Sequence, residues 1–201
     1  MELVKKITIG IIIYALVSAL IIIFLDDVIA LDNAIFLAVS SFSNPFLDNF
    51  FLIVTYLGSS VFWITMFILF WMEKQKKASV YLIIAFLIDT LTSLFLKSFF
   101  MRPRPYDSMP LSAIDPDIEL GPSFPSGHTQ RAFSGMTVLG AFYKKFRAPL
   151  FLLAVLVGVS RVYIGVHYPL DTIVGAMNGL LFGMIALNLP YKPLLKKLES
   201  I

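Results

Sequence analysis

Nineteen consecutive residues, Ile7 to Leu25, carry no charged side chain, and this run constrains the fold more than any other feature of the chain. About 20 apolar residues, rising 1.5 Å each, carry a helix across the hydrocarbon core of a bilayer. Lipid offers the backbone no hydrogen-bond partners, so only helices and closed barrels cross it, and runs of this length are too long for barrel strands. Lys5 and Lys6 precede the run as they would in a signal peptide. The run is long, however, and Asp26-Asp27 follows it where a small-residue cleavage pattern would be expected. Further apolar runs predict spans over 59–72, 78–97, 128–142, Pro149 to about Ile164, and 170–189. The expectation is an all-α, polytopic membrane protein with six transmembrane helices, forming one domain over 1–201. Composition agrees. Only 14% of the 201 residues are charged, against roughly 25% in soluble domains. That is too few to cover a water-soluble globule, and it excludes a cytosolic domain, a disordered chain and a nucleic-acid binder. There is no cysteine, so disulfides, thiolate metal sites and cysteine nucleophiles are excluded as well.

Residues 26–57 are less regular. Asp26, Asp27, Asp32 and Asp48 alternate with apolar residues. Two short interfacial helices are predicted between the first and second spans, over 31–43 and 46–57, broken by Asn44-Pro45 and Gly58. Six spans with the N-terminus inside place Lys5, Lys6, Lys74, Lys76, Lys77, Lys144, Lys145, Arg147, Lys192, Lys196 and Lys197 on one side, 11 of the 16 basic residues. Nine acids, among them Asp107, Asp115, Asp117, Glu119 and Asp171, fall on the other. This positive-inside pattern predicts a multi-pass cell-membrane protein with both termini cytoplasmic. The basic remainder, Lys97, Arg102, Arg104, Arg131 and Arg161, stands against the charge rule, and ionisable groups at membrane depth are costly and usually functional.

The two histidines, His128 and His167, fall at the outer ends of predicted spans, as do Lys97, Arg104 and Arg161. Fixed cations and hydrogen-bond donors on one face suit a phosphate and its transition state. Pro125-Ser126-Gly127-His128 opens the fourth span, where backbone N–H groups and the helix dipole favour an anion; Ser126 also suits a plain N-cap. His167 and Asp171 lie one helical turn apart beside Pro169, so the carboxylate can hold one ring nitrogen and raise the nucleophilicity of the other. Asp171 also fits a first-turn acid that stabilises the helix N-terminus.

Three signatures in order, Lys97 with Arg104-Pro105, then Pro125 to His128, then Ser160-Arg161 with His167 and Asp171, resemble the type 2 phosphatidic acid phosphatase superfamily of membrane lipid phosphatases, relatives of the vanadium haloperoxidases. The resemblance implies hydrolysis of the terminal phosphate of a lipid phosphate or diphosphate. A polyprenyl diphosphate such as undecaprenyl diphosphate is the first choice; phosphatidylglycerol phosphate, phosphatidic acid and diacylglycerol diphosphate remain open. It implies His167 as the nucleophile that forms a phosphohistidine, Asp171 as its orienting group and His128 as the general acid. Lys97, Arg104, Arg161, Ser126 and the Gly127 backbone would bind the phosphoryl oxygens. A second Arg-Pro pair, Arg102-Pro103, falls inside the first signature, so Arg102 is a candidate accessory contact. No metal and no cofactor is implied; the partners are the lipid substrate and the bilayer, and a homo-oligomer is not indicated.

Some features stay open. Arg131 either pairs with Asp89 or adds to the phosphate site. Gly175, Gly179 and Gly183 form a small-residue stripe suited to packing inside the bundle or to dimerisation, packing being the expectation. Tyr106, Tyr163 and Tyr168 are expected at the outer interface, as belt residues or lining the entrance. The stretch 105–124 is either a lid or an exposed loop. A phosphotransferase is the enzymatic alternative. The non-enzymatic one is an anion- or lipid-binding transporter, which would want polar residues reaching both faces; here the ionisable residues stop about halfway in, at Asp89 and Arg131.

Overall fold

A computed structural model of the chain describes residues 25–108 and 120–191, with Thr8 and Ile12 besides. The predicted first span, most of the basic C-terminal segment and the acids Asp115, Asp117 and Glu119 therefore lie outside the described residues. Those described form helices and connecting turns, with no strand among them. In order these are α1 (Leu25–Ser40), α2 (Pro45–Thr55), α3 (Ser60–Met72), α4 (Lys76–Phe100), α5 (Gly127–Phe142), α6 (Arg147–Tyr163) and α7 (Pro169–Asn188).

Local chemistry sets the boundaries. Asn44 accepts the Leu47 N–H ahead of Pro45, and Ser59 accepts the Phe62 N–H at the start of α3, each cap contributing about 1 kcal/mol. Met101 ends α4 in the left-handed region, with φ 47°, and so turns Arg102–Pro105 back toward the bundle. Gly165, at φ 85°, makes the corresponding turn between α6 and α7, where a side chain would be strained.

Helix α5 is central. It packs against α4, α6 and α7, most extensively against α7. That interface explains the glycine stripe: a Cβ on Gly175, Gly179 or Gly183 would come within 2.7, 2.3 or 2.8 Å of the carbonyl oxygens of Ser126, Gln130 and Ser134. The stripe is the surface on which α5 lies. Trp63 of α3 stacks likewise against Gly135, whose Cβ would fall 2.2 Å from the ring.

Among the described residues, which leave out the predicted first span, three helical stretches, Lys76–Ser108, Lys144–Tyr163 and Pro169–Asn188, are long and apolar enough to cross a membrane. A fourth is reached if α1 and α2, bent by 119° at their junction, count as one broken or re-entrant span. Helix α3, at 13 residues, reaches only about 20 Å. The 16 residues of α5 include Thr129, Gln130 and Ser134, all buried. A helix surrounded by protein rather than lipid holds polar side chains wherever other helices supply partners. Helices α1 and α2 begin earlier than predicted and are folded into the bundle. Phe36 packs with Val162 and Tyr168, and Leu47, Phe51 and Leu52 pack with Tyr163, Ile164 and Val166.

Asp89 of α4 is 1% exposed. Ser134 Oγ donates a short hydrogen bond to its Oδ2. Gln130 Nε2 donates to the Asp89 carbonyl at 2.9 Å and Asn178 Nδ2 to Gln130 Oε1 at 3.3 Å. This polar centre ties α4, α5 and α7 together, as buried polar groups require.

Candidate active site

The site is assembled where α4 and α6 end and α5 and α7 begin. Asp171 sits in the first turn of α7 and accepts the Tyr168 N–H on Oδ2 at 3.0 Å, a capping contact. The same oxygen lies 3.5 Å from His167 Nδ1, with both side chains fully buried. The two readings of Asp171, helix cap and histidine partner, therefore hold together. The Arg161 carbonyl accepts the His167 N–H at 3.2 Å, so the turn between α6 and α7 seats the ring.

The other signatures meet this pair through the backbone. The Ser126 N–H donates to the Asp171 carbonyl at 3.0 Å, which fixes the start of α5 against the start of α7. Ser126 Oγ caps α5, accepting from the Thr129 hydroxyl at 3.0 Å. Arg104 is 1% exposed. Its Nε donates to the Gly121 carbonyl at 2.8 Å and one terminal nitrogen to the Val166 carbonyl at 3.0 Å, next to His167. Lys97 Nζ donates to the Pro122 carbonyl at 2.9 Å. The first signature thus grips the 121–126 approach to α5. Arg161 is equally buried and donates to Thr55 Oγ1 at 2.8 Å.

His128 is half-buried at the start of α5. A terminal nitrogen of Arg131 stands 3.4 Å from its Nδ1, and Arg131 Nε donates to the Gly58 carbonyl at 3.0 Å. Arg131 and Asp89 also line one small cavity with Trp63, Ser134 and Gly135. Arg131 thus reaches toward both candidate partners. A guanidinium only donates, so in this contact the acceptor role falls to His128 Nδ1.

Arg102 stands differently from the other cations. Its guanidinium donates to Asp171 Oδ1 at 2.7 Å and to Asp32 Oδ2 at 2.6 Å, and lies 4.0 Å above the Tyr168 ring. Tyr168 and Tyr163 are buried rather than forming an interfacial belt; Tyr163 donates its hydroxyl to Asp48 Oδ1 at 2.7 Å. Sequence reasoning passed over Asp32, Thr55 and the Gly58 carbonyl. An acid or a hydroxyl in an apolar stretch marks a buried partner, but nothing in the spacing says which. Most of the candidate lid, 105–124, lies outside the described residues, and among those described no group of three or more His, Cys, Asp or Glu could hold a metal ion.

The described residues thus form a helical bundle with a buried histidine–carboxylate pair among basic side chains at one end. The chain belongs to the PAP2 superfamily, whose family model matches residues 78–194. The chain is 33% identical over 144 residues to the bacitracin transport permease protein BcrC of Bacillus licheniformis, covering 70% of this chain and 68% of that protein. It is 30% identical over 135 residues to the undecaprenyl-diphosphatase of Sulfolobus acidocaldarius, covering 64% and 63%. The crystal structure of Aquifex aeolicus LpxE superposes with a TM-score of 0.73 at 37% identity, covering 79% of this chain and 96% of that one.

Proposed function

We propose that the protein is an integral membrane phosphatase that removes the terminal phosphate of a lipid diphosphate or lipid phosphate, a polyprenyl diphosphate before the others. The observation that carries this reading is the buried His167–Asp171 pair, seated beside Arg104 and Arg161 and tied to the start of α5. In the proposed reaction His167 Nε2 attacks phosphorus as the bond to the lipid oxygen breaks. Asp171 accepts from Nδ1–H and stabilises the positive charge that develops on the ring. Lys97, Arg104, Arg161, Ser126 and the Gly127 N–H hold the phosphoryl oxygens. Water then attacks phosphorus as the N–P bond breaks, its protons leaving on inorganic phosphate and the bond pair returning to His167 Nε2.

His128 supports the diphosphate choice. With Nδ1 facing Arg131, it offers the leaving oxygen a neutral Nε2–H rather than an imidazolium proton. A lipid monophosphate departing from a diphosphate is a weak base and needs little more than a hydrogen bond. A departing alkoxide needs a full proton. The undecaprenyl-diphosphatase among the relatives points the same way.

Another relative carries the name of a transport permease. Among the described residues, however, Leu82, Val138, Leu139, Ala154 and Ala186 pack the interior beyond Asp89 and Arg131, surroundings that disfavour a passing anion. The deciding experiment is phosphate release by purified protein from undecaprenyl diphosphate and short-chain lipid phosphates, with acid-labile phosphoenzyme trapped by rapid quench. Wild-type protein should release phosphate. His167→Ala should lose at least about 10³-fold in kcat and form no phosphoenzyme. Full activity of His167→Ala would overturn the assignment.

A further inference from the structure

We propose that Asp32, on α1, is a positioning residue for His167, acting through Arg102 and Asp171. The inference rests on His167 being the nucleophile. An arginine beside a lone carboxylate tends to take both of its oxygens in a fork. Here that would occupy Asp171 Oδ2, the oxygen His167 needs. Asp32 prevents it. Its Oδ2 holds one terminal nitrogen of Arg102 at 2.6 Å, so the other reaches only Asp171 Oδ1, at 2.7 Å. Asp171 Oδ2 is left to the Tyr168 N–H at 3.0 Å and to His167 Nδ1 at 3.5 Å.

Asp32 is itself held. Its Oδ1 accepts the Leu170 N–H at 2.7 Å, in the first turn of α7. The Tyr168 ring lies beneath Arg102 and packs on Phe36 of α1, with ring centroids 5.6 Å apart. Asp32, Asp171 and His167 are all nearly or fully buried. One guanidinium between two carboxylates therefore works in a setting where charge is weakly screened and geometry is enforced by packing. Asp32 lies outside residues 78–194 matched by the family model. On this reading α1 completes the site and sets Arg102 apart from the phosphate-binding cations.

Asp32→Asn keeps an acceptor for Leu170 and removes the charge that restrains Arg102. In purified full-length protein, with undecaprenyl diphosphate as the probe, kcat is expected to fall about tenfold with KM within twofold. Adding Arg102→Ala to Asp32→Asn should recover part of the lost kcat, since without the guanidinium nothing takes Asp171 Oδ2 from His167. Asp32→Glu should recover part of the rate. A rise in KM for Arg102→Ala at unchanged kcat would make Arg102 a phosphate contact and overturn the proposal, as would additive losses or an unaffected Asp32→Asn.

A second readout needs no substrate. The chain has two histidines, so tag-free protein labelled with 15N-histidine, assigned with His128→Asn, reports the His167 tautomer directly. Wild-type His167 should carry its proton on Nδ1, and both Asp32→Asn and Asp32→Glu should change that population, the latter less. An unchanged tautomer in both variants would overturn the link. A wild-type protein that releases no phosphate would sink the phosphatase reading while leaving this measurement to decide the link.

Discussion

The two histidines stand in unlike surroundings although each heads a helix. His167 is fully buried with a carboxylate 3.5 Å from Nδ1, whereas the Nδ1 of His128 has a guanidinium at 3.4 Å. A carboxylate favours protonation of the nitrogen it faces and a guanidinium opposes it. The first setting suits a nucleophile whose ring becomes positive, and the second a neutral donor. Arg131→Gln keeps a donor for the Gly58 carbonyl and removes the charge beside His128. Turnover of a lipid monophosphate relative to a diphosphate is expected to rise several-fold, because His128 can then act as a fuller acid. Paired kcat values on undecaprenyl phosphate and undecaprenyl diphosphate test this, and an unchanged ratio would remove Arg131 from the account of leaving-group choice.

At the scale of elements, the contact between α5 and α7 decides whether the site exists. It places Ser126 against Asp171 at one end and Ser134 against Gly183 nearer the middle. Gly179→Ala would drive a methyl group to within 2.3 Å of the Gln130 carbonyl oxygen and 2.7 Å of Phe133 Cβ. Backbone cannot yield as a side chain can, so the helices must separate, at a cost of about 1–3 kcal/mol. Thermal unfolding in detergent should show a clear drop in midpoint, and activity should fall with it as the Ser126–Asp171 contact opens. An unchanged midpoint would mean that α5 and α7 are not packed as described.

At the scale of the whole molecule, the described lysines at the start of α4 and the candidate site at its end lie at opposite ends of that helix. Lys77 lies 5.0 Å from the Tyr191 ring, and Tyr81 lies 6.1 Å from Phe142, which gathers the start of α4 with the ends of α5 and α7 among the lysines. We propose, on the positive-inside rule, that the site faces the extracytoplasmic side. The chain lacks cysteine, so single cysteines report this cleanly. Ser108→Cys should react with a membrane-impermeant maleimide in intact cells and Lys145→Cys should not; both positions are exposed. The reverse pattern would invert the topology and with it the leaflet from which substrate enters. On the proposal that cations and backbone N–H groups hold the phosphate, hydrolysis should persist in excess EDTA and be blocked by vanadate, which adopts the five-coordinate geometry of phosphoryl transfer. Activity lost to EDTA and restored by Mg²⁺ would contradict that site chemistry.

Membrane helices and the three signatures were legible in the chain itself. Long apolar runs admit few folds in lipid, and His167, four residues before Asp171, stays close enough to meet it even though it sits in the turn ahead of α7. The surroundings of a span were less legible. Hydropathy places α5 over nearly its full length, but does not say that other helices surround it and supply partners to its buried Thr129, Gln130 and Ser134. The partner of Arg102 was not legible at all. Arg102-Pro103 and Arg104-Pro105 are near copies in sequence, yet Arg104 grips the carbonyls of Gly121 and Val166 while Arg102 bridges Asp32 and Asp171. What separates them is the left-handed turn at Met101 and the fold of α1 onto α7, which brings Asp32 to a guanidinium 70 positions away. Spacing along one helix is local and can be read from the chain; a contact between distant segments exists only once packing has chosen which faces meet.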